Sequence, residues 1–132
     1  MKKIITLLCI GILGCFTVAC GGKNDMKNEN SYEQITQEEA KKIMGEQEGY
    51  VIVDARTREE FEAGYIPGAI CIPNETIGES VVDLLPDKEQ LILIYCRSGN
   101  RSKKAADKLV KLGYTNIKEF GGIITWPYEI VK

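Results

Sequence analysis

The chain has 132 residues, room for one ordinary domain and not for two. Seventeen basic and nineteen acidic side chains leave a formal charge of −2, so there is no basic excess to recruit nucleic acid, and no such partner is expected. Histidine is absent, which excludes Ser-His-Asp and Cys-His catalysis, His-ligated zinc and His-bound haem. Any chemistry must run on Cys, Lys, Arg, carboxylates, Tyr or backbone.

The chain opens on Met1-Lys2-Lys3, followed by a charge-free run from Ile4 to Ala19. That run is short of the ~20 residues that span a bilayer. A basic start, an apolar stretch and small residues at its end describe an export signal. Thr17-Val18-Ala19-Cys20, followed by Gly21-Gly22 and polar residues, resembles the bacterial lipoprotein signal. In that signal, cleavage precedes a cysteine that is then acylated. Thr17 stands where the pattern usually has Leu. Cys15 is a weaker candidate, since cleavage there would leave apolar Phe16 to Ala19 outside. The competing reading is a plain signal peptide or an N-terminal membrane anchor. The expectation is a signal over residues 1–19, lipid on Cys20, a flexible tether over 20–31 and a domain over 32–132. The lipid would hold the domain to a membrane of the cell envelope, on its extracytoplasmic side.

Loss of residues 1–19 removes two lysines, leaving 15 basic against 19 acidic side chains, net −4. With Cys20 acylated, only Cys71 and Cys96 remain as thiols. Two distant cysteines make no disulfide framework, and there is no C-x-x-C.

Within the domain, strand and helix signals alternate. A short strand over Tyr32 to Ile35 precedes a capping box, Thr36-Gln37-Glu38-Glu39, whose helix runs to about Met44 and ends at Gly45. Tyr50 to Asp54 is an apolar run suited to a strand buried on both faces. Thr57-Arg58-Glu59-Glu60 is a second capping box, for a short helix that stops near Gly64. Ala69 to Ile72 is a strand closed by Pro73. Apolar residues at 77, 81, 84 and 85 predict a helix over Glu75 to Leu85. Leu91 to Tyr95 is the strongest strand. Arg101 to Leu112 is an amphipathic helix stopped by Gly113, and Ile117 to Phe120 is a last strand before Gly121-Gly122 and a helical turn. This alternation predicts an α/β domain with a mainly parallel sheet of about five strands and helices on both faces.

In such sheets ligands bind beyond the carboxyl ends of the strands. There the strongest strand delivers Cys96-Arg97-Ser98-Gly99-Asn100-Arg101-Ser102. A thiol in a tight loop before a helix lies among backbone N–H groups and the positive end of the helix dipole. Arg97 and Arg101 add two charges. All favour thiolate over thiol and point to a nucleophile. Gly99 permits the sharp turn. The alternative is a small buried cysteine, against which the crowded polar loop argues.

The loop resembles the Cys-Arg-Ser-Gly-x-Arg-Ser active-site loop of rhodanese sulfurtransferases. Asp54-Ala55-Arg56, Glu60-Phe61, Gly64-Tyr65-Ile66-Pro67-Gly68-Ala69 and Gly121-Gly122-Ile123 to Trp126 stand in the family's order. Tyr65 replaces the usual His, and Cys71 a frequent Asn or His. The resemblance implies the rhodanese-like fold and a persulfide enzyme without cofactor or metal. A sulfur-containing anion such as thiosulfate would load Cys96, and a thiol or cyanide would accept the sulfur. It implies that the amides of residues 97–101, from Arg97 through Ser98, Gly99 and Asn100 to Arg101, bind the sulfur. Arg97 would face outward to attract the donor, and Arg101 would fix the loop through its carbonyls. Ser102 would cap the next helix. Asp54 and Arg56, at the end of a neighbouring strand near the same edge, read as a structural ion pair with Glu60 a candidate third member, or alternatively as a support behind the loop. Trp126 reads as core. Cys71 is either a buried small residue or a thiol that resolves Cys96.

Four residues separate Cys96 from Arg101, against five in the related cysteine phosphatases, which favours sulfur over phosphoryl transfer. Two other readings compete with the enzyme: a rhodanese-like binding or redox-sensing module without turnover, and a phosphatase or arsenate reductase.

Overall fold

The computed structural model describes residues 31–78 and 83–132. The expected signal and tether, with Cys20, lie outside the described residues, apart from Ser31 at the tether's end. Five strands form one parallel sheet: β1 (Glu33–Gln34), β2 (Val51–Asp54), β3 (Ala69–Cys71), β4 (Ile92–Cys96) and β5 (Ile117–Gly122), in the order β1-β5-β4-β2-β3. The expected α/β architecture is the observed one.

β4 is the central strand, and every one of its residues is buried. A strand paired on both edges and covered on both faces has no solvent side, which is why Ile92 to Cys96 carries no polar alternation. One face is covered by α3 (Asn100–Lys111), whose Ala105, Ala106 and Leu109 pack on Val53, Ile92 and Ile94. The other is covered by α1 (Gln37–Glu46), α2 (Arg58–Glu62) and the C-terminal segment, around Ile52, Leu93, Tyr95 and Phe120. Full burial of a side chain such as Leu93 or Leu109 contributes about 1.5–3 kcal/mol each.

Both capping boxes form. Thr36 Oγ1 accepts the Glu39 N–H at 3.0 Å, and Glu39 Oε1 accepts the Thr36 N–H at 2.9 Å. Thr57 and Glu60 repeat the exchange at 3.2 and 3.1 Å. Two expectations are corrected. α1 continues through Gly45 to Glu46. The helix expected over Glu75 to Leu85 begins as a 3-10 turn, Asn74–Thr76, and stops there, because Ile77 is extended at φ −77°, ψ 114°. Leu85 is buried while Leu84 is 58% exposed, so the apolar stripe is not one helical face. Residues 79–82 of that stretch lie outside the described residues.

Candidate active site

Cys96 ends β4 and is 1% exposed. The chain then reverses at Gly99, at φ +106°, ψ −15°, a left-handed conformation that glycine adopts without Cβ strain. The turn returns the Gly99 N–H to Cys96 Sγ at 3.0 Å. The amides of residues 97, 98, 100 and 101 make no such bond to the sulfur. Of the five expected donors, Gly99 alone bonds the thiol itself among the described residues. α3 opens at Asn100, with Gly99 as its N-cap.

Arg97, Ser98 and Asn100 are exposed, and Arg97 has no ion-pair partner among the described residues. Its guanidinium faces outward as expected, while its carbonyl accepts the Ile124 N–H at 3.1 Å. Arg101 departs from expectation. It does not bond loop carbonyls but grips Glu60 of α2 with both ends of its fork, Nη1 to Oε1 at 2.7 Å and Nη2 to Oε2 at 2.9 Å. From the first turn of α3, its side chain reaches the carboxylate that already caps α2. Ser102 is not the cap either. It lies one turn into α3 and donates to Glu119 Oε2 at 2.5 Å.

The Arg101 fork, with the Thr57 N–H and hydroxyl behind it, lowers the Glu60 carboxyl from 4.5 to about 2. Glu60 is charged in both folded and unfolded chains above pH 4.5, where the pair's stabilisation is fully present. It is lost as pH falls from 4.5 through about 2. Wild type is therefore expected to lose about 1 kcal/mol more than Glu60→Gln between pH 6 and pH 2.5, after allowance for solvent screening. Urea melts at the two pH values measure this, and equal losses would remove the pair from the account.

Asp54 and Arg56 form the expected ion pair, with Arg56 Nη2 to Asp54 Oδ2 at 2.7 Å and Nε to Oδ1 at 2.9 Å. Glu60 is not part of it, being held by Arg101. Tyr95 donates its phenol proton to Asp54 Oδ2 at 2.6 Å and accepts the Ile66 N–H at 3.1 Å. Burial, then the Asp54 carboxylate, raises the Tyr95 phenol far above its usual range, so it remains a donor. Arg56 also donates to the Gly64 carbonyl at 2.6 Å. This network secures the end of β4 and the Gly64–Gly68 turn. It acts from the sheet face opposite Cys96, since successive strand residues point to opposite sides.

Cys71 pairs in register with Asp54, and Asp54 with Tyr95, so Cys71 shares the Tyr95 face. It stands two strand spacings, about 10 Å, from β4, beyond the ~7 Å limit for a disulfide. Burial pushes its thiol up. The geometry favours the buried small residue over the resolving thiol. Tyr65 stacks on Phe61 with centroids 4.2 Å apart, and Trp126 packs against Phe120 and Tyr128 as core.

Glu60 and Gly122 take parts beyond those expected of them, and Glu119 is a contributor not singled out from sequence. Glu60 holds Arg101. Gly122 lies against the loop backbone so closely that a Cβ there would overlap the Arg97 carbonyl and stand 2.6 Å from Ser98 Cα. Glu119, buried on β5, takes the Ser102 hydroxyl. A cleft of about 320 Å³ flanks the loop, walled by Ser98, Gly99, Lys103, Gln37 and Thr125.

A parallel α/β domain that ends its central strand on a cysteine, inside a loop of two arginines, defines a class of thiol-bearing loop proteins. The Rhodanese-like domain family model matches residues 36–126, and the chain belongs to that family. It is 32% identical over 71 residues to the thiosulfate sulfurtransferase PspE of Escherichia coli strain K12, covering 54% of this chain and 68% of that protein. It is 34% identical over 102 residues to a sulfurtransferase of Allochromatium vinosum, covering 76% and 89%. A solved structure described as a rhodanese with anions from E. coli superposes with a TM-score of 0.58 at 30% identity, covering 63% of this chain and 98% of that one. The family and its sulfurtransferase relatives agree with the resemblance read from the loop.

Proposed function

We propose that the protein is a sulfurtransferase that carries sulfane sulfur as a persulfide on Cys96. The observation that carries this is the Gly99 N–H aimed at Cys96 Sγ from 3.0 Å, within a loop bearing Arg97 and Arg101. With thiosulfate, the Cys96 thiolate attacks the outer sulfur. The new S–S bond forms as the bond to the sulfite group breaks, and sulfite leaves with the electron pair. An acceptor thiolate or cyanide then attacks the outer persulfide sulfur and returns Cys96 as thiolate. Arg97, exposed and without an ion-pair partner among the described residues, attracts the dianionic donor. The Gly99 N–H steadies the sulfur of Cys96, and Arg101 holds the loop's shape through Glu60. The direct test is intact mass of the purified protein before and after thiosulfate, expected to show one added sulfur mapping to the Cys96 peptide. No added sulfur would leave a binding or sensing module.

The two arginines are assigned different tasks. Arg101→Lys is expected to cost about tenfold or more in turnover, because an ammonium cannot reproduce a two-point fork on Glu60. Arg97→Lys keeps the charge and is expected to stay within about threefold, mainly in KM for thiosulfate. Steady-state kinetics on both variants decides, and a larger loss at 97 would reverse the roles.

The chain is further proposed to be a lipoprotein, cut before Cys20 and acylated there, with the domain outside the cytoplasmic membrane. The basic start, the charge-free run and Val18-Ala19-Cys20 support this reading. Cys20→Ala is expected to accumulate uncleaved precursor, which labelling with a fatty acid and membrane fractionation would show. A wild-type chain that takes up no fatty acid would dismiss it.

A further inference from the structure

The geometry points to Glu119 as the positioning residue of the Cys96 loop, holding Gly99 where its N–H meets the sulfur. Glu119 is 2% exposed and has no cationic partner among the described residues. A buried carboxylate without an ion pair is costly unless hydrogen bonds compensate it. Its bonds lead to the loop from both sides. Oε2 accepts the Ser102 hydroxyl at 2.5 Å, from the first turn of α3 where the loop ends. The same oxygen accepts the Gly121 N–H at 3.0 Å, at the end of β5. Oε1 takes a longer contact from Gln34 Nε2 at 3.4 Å on β1.

Gly99 faces this junction. A Cβ built on it would stand 3.6 Å from Gly121 Cα and 3.8 Å from Glu119 Oε2, both ordinary van der Waals distances. The carboxylate and Gly121 therefore lie on the side of the left-handed turn where a side chain would project, one methyl's width away. Ser102 Oγ also lies 3.1 Å from the Gly99 carbonyl, with the Glu119 oxygen the nearer acceptor. Glu119 thus ties the start of α3 to the end of β5 directly beneath the residue that donates to Cys96. It makes no hydrogen bond to the sulfur, and its effect passes through Gly99. The assignment builds on the persulfide reading but concerns the free thiol, so it can fail separately.

The experiment uses the full chain, with Cys96 alkylation by iodoacetamide followed by peptide mapping from pH 5 to pH 10. A change in access scales the rate equally at every pH. Loss of the Gly99 bond instead moves the profile, because the thiolate has lost a donor. Glu119→Gln keeps the size but turns an amide NH2 toward one of two donors; the lost charge alone would move the profile down, whereas loss of the Gly99 bond outweighs it and is expected to move the profile up by about one pH unit, a tenfold change in thiolate ratio. Glu119→Asp keeps the charge but shortens the reach by one methylene, and is expected to move it as well. A folded Glu119→Gln with an unmoved profile overturns the inference, as does an Asp variant that behaves as wild type, since charge alone would then suffice. If Glu119→Gln does not fold, Ser102→Ala carries the test, with the same upward move expected and an unmoved profile overturning it. Turnover is not among the deciding readouts. A wild type without sulfurtransferase activity would defeat the persulfide reading and leave this test standing.

Discussion

Cys96→Ser is expected to lower thiosulfate:cyanide turnover at least ~10³-fold and to abolish the added sulfur in intact mass. The oxygen would occupy the sulfur's place beneath Gly99, so the loop and the fold should survive. What changes is the nucleophile. A serine hydroxyl is almost fully protonated at neutral pH, and the chain has no histidine to serve as its base. Alkoxide also has no persulfide counterpart able to carry sulfane sulfur between two thiophiles. Unchanged far-UV circular dichroism alongside lost turnover would place the defect in chemistry rather than folding. Retained turnover would remove Cys96 from the mechanism altogether. Cys71 offers no substitute, being on the opposite face of the sheet and about two strand spacings away.

Much of this arrangement is legible in the sequence because it is local. β4 reads as a buried central strand from five consecutive apolar residues, Leu91 to Tyr95. Both capping boxes read correctly because Thr and Glu three residues apart make their bonds within one turn. Gly99 at the turn is local as well. What did not read were partners brought from elsewhere. Glu60 announces itself as a cap, and nothing in Thr57 to Glu60 says that its carboxylate also receives Arg101 from 41 residues away. Glu119 did leave a trace. Strand alternation puts it on the same face as Ile117, which is core, so a carboxylate there must point inward. That parity was available and marks a buried acid in want of donors. The helix expected over Glu75 to Leu85 failed for the opposite reason. Four apolar positions matched a helical period, yet a stripe does not show whether the backbone stays helical between them, and Ile77 does not.

Gly122→Ala is the other change expected to be severe, and for a steric reason. Gly122 is extended at φ −141°, ψ 156°, a conformation open to any residue, so the demand is not conformational. It pairs with Cys96 across β4 and β5, and its missing Cβ leaves room for the loop backbone. An alanine methyl would overlap the Arg97 carbonyl and lie 2.6 Å from Ser98 Cα. Backbone, unlike a flexible side chain, cannot rotate away. Either β5 or the loop must move, and the loop has fewer anchors. Its displacement would break the Ile124 N–H to Arg97 carbonyl bond and carry Gly99 off the sulfur. Gln37 holds Gly122 from the other side, donating to its carbonyl at 2.7 Å, so retreat in that direction is resisted. The expected cost is about 1–3 kcal/mol in stability, read as a fall of several degrees in Tm. Turnover is expected to fall ~100-fold or more, since even 1 Å at the reacting atom is expensive. Gly45→Ala is the control. It lies in α1 with nothing within 4 Å of the added methyl, and should be neutral or slightly stabilising. A Gly122→Ala protein with wild-type turnover would show that the loop accommodates the methyl and that the close approach of β5 does not set the geometry of Cys96.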